Sequence, residues 1–167
     1  MERYPFEEFT KAIWVPGWDG IENMSAPTDV ELNDAGNVDL TCFLTRDGLQ
    51  IGFTTAKVGD GSLCTRNNTE TVGSVSSSPN LKMFRDKEAG GDDAWNLAVW
   101  NAKGFLVVRR GPLWSVAFAE NQAVEVFKSS LGEPSMASSA QDTNQTFDLP
   151  VAFAGWDQKA VVVEAAA

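Results

Sequence analysis

The sequence predicts a mainly β domain, a sandwich or barrel carrying one short flanking α-helix and long loops. Three observations predict it. Short apolar or alternating stretches recur along the 167 residues and are separated by Gly, Pro, Asn and Asp. Only one stretch with helical spacing extends beyond a single turn, at 94–100. The apolar fraction of 43% over this length suits one core, so residues 1–167 read as a single domain.

The elements follow in order. Residues 1–12 read as an N-terminal arm in which Tyr4, Phe6 and Phe9 alternate with Glu2, Glu7 and Glu8. Thr10–Val15 is a first strand, stopped by Pro16-Gly17. Residues 17–37 are rich in turn formers, with a short helical piece over 28–33 that Thr28 can cap and that ends in the turn Asn33-Asp34-Ala35-Gly36. Val38–Thr45 and Gln50–Val58 are strands split by a turn at Arg46-Asp47-Gly48. Residues 59–79 are polar and serine-rich and read as a long loop, a length that usually carries function.

Asn80–Asp86 alternates as a strand. Ala94–Trp100 is the helix, capped by Asp92 or Asp93, and at about two turns it needs a sheet to lie on. Phe105–Arg109, Ser115–Phe118 and Gln122–Ser130 are strands, and residues 132–142 form a second loop. Thr143–Ala154 and Lys159–Glu164 read as a hairpin across Gly155-Trp156-Asp157-Gln158, which makes 155–167 a C-terminal segment.

Charge and composition exclude several classes of chemistry. Thirteen Lys and Arg against 23 Asp and Glu leave a net charge of −10, and the one adjacent basic pair, Arg109-Arg110, reads as an exposed strand end. A chain without clustered cations does not gain the counterion release that drives nucleic-acid binding. There is no histidine, which removes most general-base triads and most zinc sites. Cys42 and Cys64 are far apart and read as buried, reduced thiols. Asp60 with Glu70 lacks the alternation of a calcium loop, and Gly59-Asp60-Gly61 lacks the lysine and helix of a phosphate loop. No catalytic, cofactor or metal site is expected. No apolar run is long enough for a membrane helix, and the first residues lack a secretory layout, so synthesis in a cytoplasm is expected.

Six tryptophans are more than one small core can enclose. Trp14, Trp18, Trp100 and Trp156, with Ser74 and Ser76 of the long loop, are therefore candidates for contacts between subunits.

Three segments carry a resemblance. Trp14-Val15-Pro16 leads into Ser25-Ala26-Pro27-Thr28-Asp29-Val30-Glu31-Leu32-Asn33 and then Asp39-Leu40-Thr41. Gly104-Phe105-Leu106-Val107-Val108-Arg109-Arg110-Gly111 follows the helix, and Phe147–Ala154 lies near the end. In this order they resemble tail tube proteins of long-tailed bacteriophages, of the siphophage type. The resemblance implies a structural, non-enzymatic virion protein of the phage tail. Its subunits would form stacked, hexameric rings whose strands join into one barrel around a lumen for the genome. Residues 59–79 would then be the inter-ring loop. The implied partners are further copies of the chain, a tape-measure protein, a tail terminator and tail-tip or baseplate proteins. Double-stranded DNA would pass through without specific binding. An acidic wall repels phosphate, and the candidates for facing the lumen are Asp39, Asp47, Glu70, Asp86 and Glu125. Two alternatives stay open: a terminator or head–tail connector ring, and a soluble carbohydrate-binding β-sandwich.

Overall fold

The computed structural model describes residues 8–61, 64, 69–87, 91–137 and 143–165. Along these residues run β1 (Thr10–Pro16), α1 (Asp29–Leu32), β2 (Val38–Asp39), β3 (Leu44–Gln50), β4 (Phe53–Asp60), β5 (Thr69–Ser77) and β6 (Asn80–Phe84). They are followed by α2 (Asp93–Leu97), β7 (Lys103–Arg110), β8 (Ala123–Leu131), β9 (Ser135–Met136) and β10 (Thr146–Val161). Eight strands form one curled antiparallel sheet in the order β2-β1-β7-β8-β10-β6-β3, with β9 added to β10. Among the described residues β4 and β5 pair only with each other.

The apolar run in β7 sets the centre. Every residue from Gly104 to Arg109 is buried, as befits a strand covered on both faces. Register assigns the faces: Ile13, Val107 and Val126 stand opposite one another on one side, and Ala12 and Val108 on the other. On the concave side Trp14, Leu106, Val108 and Phe127 pack with Ala94 and Ala98 of the helical segment and with Leu81, Met83, Phe147 and Leu149. On the convex side Ile13, Val15, Phe105, Val107 and Val126 are covered by Ile21, Leu32, Phe118 and Val162. Fully burying an aromatic such as Phe105 or Phe127 contributes roughly 2–3 kcal/mol. Gly104 is required in β7, because a Cβ there would collide with the Trp14 ring and the Val15 carbonyl.

The strap over the convex face is held by α1. Its N-cap Thr28 accepts from Glu31 N at 3.2 Å, and the Glu31 carboxylate accepts from Thr28 N at 2.7 Å, a reciprocal capping box. This turn lies where the sequence places it.

Several local expectations are overturned. β10 is one strand of 16 residues, not a hairpin: Thr146–Pro150 pair with β6 and Val151–Val161 pair with β8. Two register shifts, between Phe153 and Gly155 and between Asp157 and Ala160, absorb the residues that resemble a turn. Arg46-Asp47-Gly48 lies within β3, beside a register shift between Leu44 and Leu49, while residues 40–43 make the turn instead. Ser115–Phe118 is not a strand. Much of the expected long loop at 59–79 is strand β5, with 62–63 and 65–68 outside the described residues. The helix ends at Leu97; Asp92 is its N-cap but bonds Arg85 and Asp86 N rather than the helix. Within the expected arm, residues 1–7 lie outside the described residues and Thr10–Ala12 belong to β1. Cys42 and Cys64 are exposed, not buried.

Candidate assembly surfaces

The β4–β5 ribbon stands apart from the curled sheet and is anchored at its root by aromatic rings. Phe53 lies 4.9 Å from the Trp156 ring centroid, 6.2 Å from Phe153 and 6.3 Å from Phe127. Phe127 and Phe153 stack at 4.6 Å. Beyond this root the ribbon exposes Val58, Val72 and Val75, with Val72 82% accessible. The pair Lys57–Glu70 at 3.0 Å is exposed and adds little to stability. A two-stranded ribbon is marginal alone, and its outer edges pair with nothing among the described residues. Unpaired edges with apolar side chains are a template for association.

The tryptophans divide into core and surface. Trp14, expected at a subunit contact, is 1% exposed and belongs to the concave core, because register directs it inward with Leu106. Trp18 is partly exposed; its indole N–H donates to Ser129 O at 3.0 Å, and the ammonium groups of Lys103 and Lys128 lie 4.6 and 4.7 Å from its ring. Trp100 is 68% exposed on the turn before β7. Trp156 is half-buried against Phe53. Ser74 and Ser76 are exposed on β5. Trp95 packs edge-on against Phe147 and beneath Arg85, whose Nε donates to Asp92 at 2.6 Å.

The five acidic candidates do not converge. Asp39 stands opposite Ile13 on the convex face, beside Lys11 at 3.8 Å. Glu125 stands opposite Val108 on the other face and takes a two-pronged bond from Arg110 at 3.0 Å. Asp47 is exposed on β3, Glu70 on the ribbon, and Asp86 just after β6. One face of the central sheet therefore presents Asp39 or Glu125, not both.

Arg109 is a feature that composition missed. Expected at an exposed strand end, it is fully buried; only Arg110 is exposed. Its Nη1 donates to Ala117 O at 2.9 Å and to Gln122 Oε1 at 3.0 Å, and its Nη2 donates to Leu113 O at 2.8 Å and Val116 O at 2.9 Å. The Phe118 ring covers the guanidinium at 4.9 Å. Burial lowers the Arg109 pKa, and Asp39 opposes the shift. The guanidinium gathers the carbonyls of residues 113–117 inward, leaving Leu113, Trp114 and Val116 partly exposed. A cation within an apolar strand was the available signal. Nothing in the sequence marked Phe53 as an anchor. Among the described residues no group of acidic or cysteine side chains is arranged to hold a metal ion, and no helix is long and apolar enough to cross a membrane.

The class of protein the structure defines is a mainly β domain built on a curled antiparallel sheet with a two-stranded ribbon. Known proteins agree on the fold. A chain of the anti-feeding prophage baseplate, solved with 6-fold symmetry, superposes with a TM-score of 0.60 at 8% identity, covering 94% of this chain and 96% of its own. A chain of the tube-terminating cap of the same particle gives 0.50 at 13% identity, covering 96% and 95%. No curated protein sequence matches. The sequence matches the family described as phage tail tube protein over residues 2–166, and the chain belongs to that family. It is a structural component of the phage tail.

Proposed function

We propose that this chain is the repeating subunit of a tail tube, acting by assembly and not by catalysis. Six copies form a ring, rings stack, and the genome passes through the lumen into the host cell. The observation that carries this reading is the β4–β5 ribbon, whose exposed valines and open edges a neighbouring copy would cover. Family membership and the 6-fold symmetry of the baseplate relative support it. The ribbon and its serines would reach the adjacent ring, and the acidic surface of a −10 subunit would repel DNA during passage. A tape-measure protein, a terminator and tail-tip proteins complete such an assembly, in a tail of the siphophage type. Likeness to a tube-terminating cap favours one second reading, a ring that ends the tube.

Negative-stain electron microscopy of concentrated protein tests the reading. Hollow tubes of uniform width are expected; single closed rings would favour the terminator, and dispersed monomers would overturn both.

A further inference from the structure

The curled sheet is covered on both sides along only part of its width. On the convex side, β1, β7 and β8 lie under Ile21, Leu32, Phe118 and Val162. The sector made of β3, β6 and Thr146–Pro150 of β10 differs. Its concave side gives Leu49, Leu81, Met83, Phe147 and Leu149 to the core, but none of its residues joins the convex core. Among the described residues the convex side of this sector is open.

Register defines that open side row by row. Asn80 stands between Gln50 and Pro150, and Asp148 stands between Lys82 and Ser135. Asn80 Nδ2 donates to Asp148 Oδ1 at 3.1 Å and ties these two rows together. Lys82 and Asp148 face each other across the strands with opposite signs, so the rows carry no net charge of their own. Phe84, half-buried beside Thr146, is the one large apolar side chain.

The same face runs out along the ribbon. β3 leads into β4 through Ile51-Gly52, and β5 leads into β6 through Ser78-Pro79, so the ribbon is the outer half of one long hairpin rooted in this sector. Phe53, paired with Ser77, turns toward the core rings, which leaves the pair Thr54 and Ser76 on the open side. Ser76, Ser78, Asn80 and Lys82 therefore form a polar stripe with the strand period of two, while Pro79, Leu81 and Met83 are buried. The serine-rich stretch thus has a structural reason: it is the wet side of a strand. Centres of protein interfaces are depleted of charge and enriched in aromatics, the opposite of this stripe. A surface past which a polyanion slides needs few uncompensated cations, since each would exchange for its counterions and hold it.

We propose that this open face, from Asp148 and Lys82 through Asn80 to Ser78 and Ser76, lines the lumen of the tube. The inference rests on the tube reading and names the surface that passing DNA meets: a track of hydroxyls and amides, not of carboxylates. A neighbouring copy that covers the ribbon would carry the stripe across the junction, because ribbon and sector share the same two strands. Asp39 on β2 and Glu125 on β8 lie outside the track and act on DNA only through the field of the whole ring.

Thiol labelling of assembled tubes tests the assignment. In a Cys42→Ser, Cys64→Ser background, Ser78→Cys and Ser135→Cys each place a single thiol at an exposed position of the face. Unassembled subunits should react with N-ethylmaleimide and with a maleimide carried on a gold particle wider than the tube. In tubes, N-ethylmaleimide should still react to completion through the open bore, whereas gold should decorate only the tube ends. Gold along the tube walls would put the face outside, and loss of both reactions would put it within a subunit contact. Either result overturns the inference and leaves the tube reading standing. So does failure of both variants to form tubes from a background that forms them, since the face would then be packed between copies. A wild type that forms neither rings nor tubes overturns the tube reading and the lumen assignment together.

Discussion

The central strands β1, β7 and β8 and the ribbon β4–β5 are built from the same kind of backbone pairing but solve opposite problems. The central strands bury both faces within one chain. The ribbon buries little beyond Phe53 and leaves Val72 almost fully accessible. Strand pairing alone does not decide where a protein is stable; the number of covered faces does. The buried apolar contacts lie in the first region and the exposed apolar surface in the second.

That contrast breaks most severely at the core. Trp14→Ala should remove about 3–5 kcal/mol, a large part of a small domain's stability, as read by chemical denaturation. Arg109→Leu comes next, with an expected loss of roughly 2 kcal/mol. It strands the carbonyls of Leu113, Val116 and Ala117, and removing a desolvated cation offsets only part of that cost. Hydrogen exchange should quicken at 112–118 and leave β7 protected; uniform protection would refute the clamp.

Phe53→Ala should cost about 1–2 kcal/mol globally and release the ribbon, with fast exchange confined to 53–60 and 69–77. Val72→Thr should leave folding stability within about 0.5 kcal/mol yet impair tube formation, because the site is exposed in one subunit. Unimpaired tubes would show that the valine is not covered on assembly.

The smallest effect is a titration on the strap. The Ser25 hydroxyl, donating to Asp157 at 2.6 Å, lowers the Asp157 pKa, and a backbone bond from Lys159 adds to this. A lowered carboxylate pKa means stability that is present above the ordinary aspartate value and lost as pH falls through the lowered one. Ser25→Ala should bring the Asp157 titration midpoint back toward its ordinary value in an NMR pH series.

Much of this was legible locally. The Thr28 cap, the apolar β7 and the Pro16-Gly17 stop depend on neighbours within a few residues, and all stand where the sequence reading put them. Gly155–Gln158 misled because glycine and aspartate serve a bulge as well as a turn, and only pairing with β8 distinguishes them. Trp14 misled because six tryptophans compete for one interior, and composition does not say which of them register turns inward. The same gap left Asp39 and Glu125 together as candidates, although one residue of register puts them on opposite faces.

By itself the sequence determined a mainly β domain without histidine chemistry, strongly acidic, with one capped helical turn and motifs sufficient to mark its family. Composition and short-range propensity act within a few residues, so they survive without knowledge of the fold. Only the tertiary structure decided that β10 carries the sheet from β8 to β6, that Arg109 is interior, and that a ribbon rather than a loop projects from the body. Each of those depends on residues dozens of positions apart meeting with a definite register, a property of pairing and packing that no single stretch of chain contains.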